Sequence, residues 1–264
     1  MQEKIKQKLL NIVKQNYEDA ADDFSATRNY VWPELEKIID SVIADGGNIK
    51  ILDLGCGNGR MLELLYPVKY RQAVISPKEK LFNKIKNKNT QYTGIEQSAE
   101  LANYARDYIK KNNIKNAKII TGDILDMVKL GFKTQLNKKY NIILLIAVLP
   151  HIPSHKLRLQ FLKNLKNYLN QNGRLIITCW DLHASPKHKE IILKNNLKKL
   201  FGLNSMDFND ILFPGFRQKS PRYYHAFKIR ELKKLLAEAG WQIEKIYSDK
   251  KNIYAICKNL TALK

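Results

Sequence analysis

Five short runs of aliphatic residues punctuate the chain: the IKIL of IKILDLGCGNGR from Ile49, then Gln91 to Glu96, Ala117 to Thr121, Tyr140 to Val148 and Arg174 to Trp180. The first is apolar on both sides before it reaches an acid and a glycine-rich turn, the pattern of a buried parallel strand entering a helix. Between the runs lie stretches such as AELANYARDYIKKN and LRLQFLKNLKNYL, whose apolar residues recur at helical spacing. This alternation predicts right-handed crossovers and a doubly wound, mostly parallel sheet, with ligands outside the carboxyl ends of its strands. After a last helix, KIRELKKLLAEAG, the segments WQIEKIYS and NIYAICKN are separated only by Asp249 to Lys251. So short a connection suits an antiparallel hairpin, bringing the α/β sheet to seven strands with an antiparallel last strand.

The 264 residues suit one domain, 1–264, with three additions. A helical extension covers 1–47. In it Ile5, Leu9, Ile12 and Val13 sit at helical intervals among charges and read as a surface helix, followed by a break near Ser25 to Asn29 and a restart at Pro33. A basic insertion, 67–91, carries Lys69, Arg71, Lys78, Lys80, Lys84, Lys86 and Lys88. A third segment, 183–227, interrupts the alternation with a basic helix and then prolines, glycines and many aromatics, and reads as an inserted cap.

Charge sharpens the picture. Forty-six Lys and Arg against 25 Asp and Glu leave a formal +21, a field that draws polyanions such as nucleic acid, unless it only reflects a Lys- and Asn-rich genome. Cys56, Cys179 and Cys257 are far apart, which argues against a disulfide framework or a structural zinc site and fits a reducing cytoplasm. The N-terminus has no apolar core for a signal peptide or membrane span. His151 and His155 have a spacing that can hold a metal, but no third ligand is apparent, and no metal site is expected.

Asp53-Leu54-Gly55-Cys56-Gly57-Asn58-Gly59 places three glycines behind an acid, where the backbone turns sharply and approaches a ligand closely. The spacing differs from the G-x-G-x-x-G of pyrophosphate sites, and an acid at the strand end disfavours phosphate and favours an ammonium or hydroxyl partner. This D-x-G-x-G-x-G motif resembles that of class I S-adenosylmethionine-dependent methyltransferases, with their Rossmann-like fold. The resemblance implies S-adenosylmethionine as cofactor, with Asp53, Gly55, Cys56, Gly57 and Gly59 around its methionine part. It further implies Glu96 with Gln97 at the ribose, Asp123 with Ile124 at the adenine, and Ala147 and Trp32 as further lining. Asp123 also reads as a helix N-cap, and Trp32 and Trp180 as core residues by type.

Four segments narrow the resemblance: Phe24-Ser25-Ala26-Thr27-Arg28 followed by Trp32-Pro33, Ile146 to His151, Thr178-Cys179-Trp180, and Arg222-Tyr223-Tyr224-His225. Together they are similar to the tRNA wobble-uridine carboxymethyl methyltransferases, which methyl-esterify 5-carboxymethyluridine in the anticodon loop. The final Asn252-Ile253-Tyr254 looks like that family's closing strand, while its paired histidines after strand four are here Pro150-His151. The resemblance implies tRNA as partner and, in some relatives, a small zinc-binding activator subunit. Catalytic candidates on the substrate side are Arg28 and Arg222, to grip a carboxylate oxygen or phosphate; Tyr223 and Tyr224, to stack an extruded base; His225, to hydrogen-bond a base edge or carboxylate; and His151. For the tyrosines the other reading is structural, one in the core and one along an inserted strand. Two further classes stay open, a small-molecule O- or N-methyltransferase and a non-catalytic RNA-binding module that keeps the fold.

Overall fold

The computed structural model describes residues 1–27, 31–43, 48–66, 90–129, 136, 139–214 and 221–259. Arg28 and nearly all of the basic insertion, residues 67–89, lie outside the described residues. The chain begins with helices α1 (Glu3–Asp19), α2 (Ala21–Thr27) and α3 (Pro33–Ile43). There follow β1 (Lys50–Leu54), α4 (Arg60–Leu65), β2 (Gln91–Glu96), α5 (Ala99–Lys111), β3 (Ala117–Thr121), α6 (Ile124–Lys129), β4 (Tyr140–Ile146), α7 (His155–Leu165) and β5 (Leu169–Trp180). The cap supplies α8 (Pro186–Leu200), β6 (Asp210–Phe213) and β7 (Arg222–His225), and the chain returns through α9 (Ile229–Glu238), β8 (Gln242–Ser248) and β9 (Asn252–Lys258).

Seven strands form one sheet in the order β3-β2-β1-β4-β5-β9-β8. Pairing is parallel from β3 through β5, and among the described residues β9 alone is reversed, antiparallel to both β5 and β8. The last strand is therefore antiparallel as expected, but it is threaded between β5 and the outermost strand β8. The order turns back between β1 and β4. At that switch point the crossovers leave in opposite directions, opening a crevice at the carboxyl ends of both strands.

The uninterrupted aliphatic runs follow from burial on both faces. Leu52, Leu54, Ile143 and Leu145 pack with Phe161 and Leu162 of α7 and Leu235 and Leu236 of α9. On the other face Ile51, Ile142 and Leu144 meet Leu35 and Ile39 of α3 and Leu62 of α4. Trp241 is 4% exposed and donates its indole N–H to the Leu162 carbonyl at 3.1 Å.

A two-stranded hairpin such as β6–β7 is marginal by itself and needs cover. Ile211 and Tyr224 pack with Leu182 and Ile192, while Tyr223 and Met206 pack with Leu9 and Val13 of α1. The surface reading of α1 is thus corrected: its apolar stripe is the seam to the cap. Met206 and Tyr223, the residues it meets, come from the inserted cap about 200 positions later in the chain.

Candidate active site

The switch point opens into a cleft of about 410 Å³, inside the common range for small-ligand pockets of about 300–1,000 Å³. Asp53, Gly55, Cys56, Gly57, Glu96, Gln97, Asp123, Ile124 and Ala147 all line it. Their convergence follows from topology, since each lies at or just beyond the carboxyl end of β1, β2, β3 or β4.

Asp53 is 1% exposed, and its Oδ2 accepts a hydrogen bond from the Tyr92 hydroxyl at 2.7 Å. Its Oδ1 is buried with no hydrogen-bond partner among the described residues. Burial pushes the Asp53 carboxyl up to about 6, against the lowering influence of Tyr92 and the Arg60 guanidinium. A buried, under-partnered carboxylate oxygen facing a cleft is a site for a cationic hydrogen-bond donor. The cofactor that the resemblance implies carries an ammonium and a sulfonium, and these residues fit it.

Gly55, Gly57 and Gly59 all have positive φ, 73°, 57° and 80°. At Gly55 a Cβ would sit 2.6 Å from Cγ2 of Val148, so the turn can lie against the β4 loop only without a side chain. Gly59 does not line the cleft: its missing Cβ makes room for Ala105 and Leu62, so its part is to seat α4 against α5. We expect Gly55→Ala to weaken cofactor binding at least about tenfold and to cost roughly 1–2 kcal/mol from the left-handed backbone alone. Calorimetry and thermal unfolding check this, and adding Val148→Ala should relieve the clash while leaving the backbone cost.

Glu96 is 6% exposed and braces the turn: Oε2 accepts from the Gly57 amide and Oε1 from the Ser98 amide, both at 2.9 Å. A carboxylate offers about four acceptor sites, so capacity remains for a hydroxyl donor beside these amides. Asp123 accepts from the Leu125 amide at 2.7 Å through Oδ1, the helix-cap arrangement, while still lining the cleft. Ala147 has a φ of 58°, unusual for a side-chain-bearing residue, held by its amide donating to the Thr178 carbonyl and Oγ1, both at 3.0 Å. That contact accounts for Thr178 in the Thr178-Cys179-Trp180 segment.

The substrate-side candidates divide. His151 lines the cleft. Its Nδ1 is 3.0 Å from the Tyr223 carbonyl, which can only accept, so Nδ1 carries the proton; in the neutral ring Nε2 then accepts from the Tyr17 hydroxyl at 2.9 Å. The Tyr224 ring packs on the imidazole with centroids 4.5 Å apart. Tyr223 and Tyr224 are 1% and 4% exposed, which corrects the expectation of free stacking faces. The Tyr223 hydroxyl donates to Asp210, and Tyr224 is covered by Trp180 and Phe213. His225 is likewise enclosed, with Nδ1 at 2.8 Å from Asp210 and Nε2 at 2.6 Å from Glu231. Arg222 stands at the start of β7 away from the cleft, its Nε buried with no partner among the described residues. Trp32 lines a neighbouring groove instead of the cleft. His155 faces Glu238 at 3.3 Å, and among the described residues no group of three His, Cys, Asp or Glu is placed to hold a metal.

Sequence reasoning missed Tyr17 and Arg60, both of which line the cleft, and gave Phe24 no site role. Arg60 directly follows the glycine turn, a position from which its location was readable.

Known proteins resemble this chain in sequence and in fold. The chain is 23% identical over 256 residues to the tRNA (carboxymethyluridine(34)-5-O)-methyltransferase of Schizosaccharomyces pombe, covering 93% of this chain and 95% of that one. The fold resembles a SAM-dependent methyltransferase of Methanosarcina mazei, with TM-score 0.61 at 17% identity over 88% of this chain and 99% of that one. It also resembles the magnesium protoporphyrin IX methyltransferase of Synechocystis PCC 6803 with bound SAH, with TM-score 0.56 at 18% identity over 96% and 100%. Residues 45–240, from just before β1 to the end of α9, match the family described as a methyltransferase domain, and the chain belongs to that family.

Proposed function

We propose that the protein is a tRNA methyltransferase that uses S-adenosylmethionine to methyl-esterify a carboxymethyl group on the wobble uridine. The observation that carries this reading is the nearly end-to-end match to the Schizosaccharomyces pombe enzyme of that named activity, 93% of one chain against 95% of the other. The +21 charge supports it, since tRNA binding is driven by phosphate neutralisation.

When bound, the cofactor supplies an electrophilic methyl group. The chain's own residues hold and orient. Asp53 takes the ammonium, Glu96 the ribose hydroxyls, and Asp123 with Ile124 the adenine. A carboxymethyl acceptor has a pKa of about 4 and is already an anion at neutral pH, so no side chain need remove a proton. The protein's task is alignment, and well-oriented intramolecular reactions suggest roughly 7–11 kcal/mol from this source. A tight ion pair to the attacking oxygen would stabilise reactants more than the transition state. His151, held by Tyr223 and Tyr224 and capped by Tyr17, is therefore a positioning wall. Arg28 is assigned to the other carboxylate oxygen, and Arg222, outside the cleft, to an RNA phosphate.

The zinc-binding activator subunit also belongs to this proposal. It is supported by β3, which pairs only with β2 among the described residues and keeps Ile119 and Ile120 partly exposed at the sheet edge. No described helix is long and apolar enough to cross a membrane.

The test is tRNA affinity against salt. Counterion release predicts a fall of roughly 10³–10⁵ between 50 and 200 mM salt for about 6–10 phosphate contacts. A flat profile would favour a small-molecule acceptor instead.

A further inference from the structure

A second groove of about 710 Å³ lies between α3, the end of β5 and the start of β9. We propose that it is the subsite that holds the acceptor base, joined to the cofactor cleft through Arg60. The inference rests on the tRNA reading above and places the nucleoside within it.

Tryptophan is usually well covered, as Trp241 is. Trp32 and Trp180 instead keep part of their surface open, and both line this groove. Each is stiffened from one side: the Trp180 ring stacks on Tyr224 at 5.1 Å and 24°, and the Arg60 guanidinium sits 4.9 Å from the Trp32 ring. Fixed indoles with accessible surface are the platforms on which an unpaired base stacks. Tyr254 and Asn252, both buried, line the same groove beneath them.

Charge sets the direction. Lys37, Lys251 and Arg60 face the groove, as do Glu34 and Asp249. Both acids are committed locally: Glu34 accepts from the Tyr247 hydroxyl at 2.6 Å and pairs with Lys37 at 3.2 Å, and Asp249 accepts from the amides of Lys251 and Asn252 and from the Tyr254 hydroxyl. An acidic substituent is repelled from that rim and drawn to Arg60, the one cation among the described residues that lines both cavities. A stacked 5-carboxymethyluridine would thus turn its carboxylate toward the cleft and leave its phosphates near the lysines.

The experiment titrates an anticodon stem-loop RNA carrying 5-carboxymethyluridine into the full chain and reads tryptophan fluorescence. Trp32→Leu and Trp180→Leu are run beside wild type, with cofactor affinity as the folding control. Quenching is expected in wild type and should shrink in each variant. The KM for tRNA should rise about tenfold in each variant, with cofactor affinity changed less than about twofold. Absence of quenching, or quenching and KM unaltered in both variants, overturns the subsite. If the stem-loop quenches as expected but no methyl group reaches RNA, the subsite stands and the assigned reaction fails, so the two ideas are separately refutable.

Discussion

Replacing Asp53 by Asn is expected to make the protein without cofactor more stable while weakening S-adenosylmethionine binding at least about a hundredfold. The side chain is 1% exposed, with one oxygen bonded to Tyr92 and the other without a partner. Burial raises its carboxyl from 3.8 to about 6. A raised carboxyl means that the folded state holds the proton more tightly than the unfolded state. Stability is then greatest below pH 4 for this group and is lost as pH rises through about 6. A displacement of about two pH units corresponds to roughly 3 kcal/mol of penalty at pH 7. Asparagine keeps the shape and the Tyr92 hydrogen bond and removes that penalty. It also removes the charge that an ammonium needs, and breaking a buried pair typically costs about 3–5 kcal/mol, or roughly two to three and a half orders of magnitude in affinity. The same group predicts that wild-type cofactor affinity weakens as pH falls below about 6, because Asp53 must first lose a proton. Urea unfolding and calorimetry across pH 5 to 8 check both halves, and a destabilised Asp53→Asn would contradict the account of this carboxylate.

Asp210→Asn should have the largest effect on the fold, about 3–5 kcal/mol of destabilisation centred on the cap. Asp210 is fully buried; Oδ1 accepts from the Tyr223 hydroxyl and faces Nδ1 of His225, and Oδ2 accepts from the Asp207 amide at 3.0 Å. Arg158, 1% exposed, lies against Phe227 in the same interior and donates to the Ile152 carbonyl. An asparagine amide must turn its NH2 either on the Asp207 amide or on the Tyr223 hydroxyl and His225 ring, so a buried donor loses the acceptor that Asp210 supplies. Tyr223→Phe removes one hydrogen bond and should cost less, about 1–2 kcal/mol. Because the Tyr223 backbone and the Tyr224 ring hold His151, loosening the cap should reduce methyl transfer much more than cofactor binding. Hydrogen exchange of β6 and β7 together with cofactor calorimetry separates these effects. Equal losses in both variants would refute the network reading.

The parallel sheet was legible because burial on both faces writes continuous aliphatic runs, and much of the cleft lining was legible because it sits where strands end, in an acid and a turn that the local sequence shows. The cap was not. The Arg222 to His225 segment has the composition of an exposed nucleic-acid surface, yet both tyrosines are buried, because α1 covers one face of the hairpin and Trp180 with His151 the other. Those covers come from far along the chain, as does the Tyr17 contact to His151 across 134 positions. An amphipathic stripe such as that of α1 announces that it will pack but not against what. Trp32 was read as a core residue by type and as cofactor lining by its placement beside the motif, whereas it stands just before α3 and lines the adjoining groove.

The most direct measurement is mass spectrometry of nucleosides from tRNA incubated with the protein and isotope-labelled S-adenosylmethionine. The account predicts label on one uridine derivative, released by mild alkali as expected of a methyl ester. Label absent from tRNA, or present but stable to alkali, would contradict it.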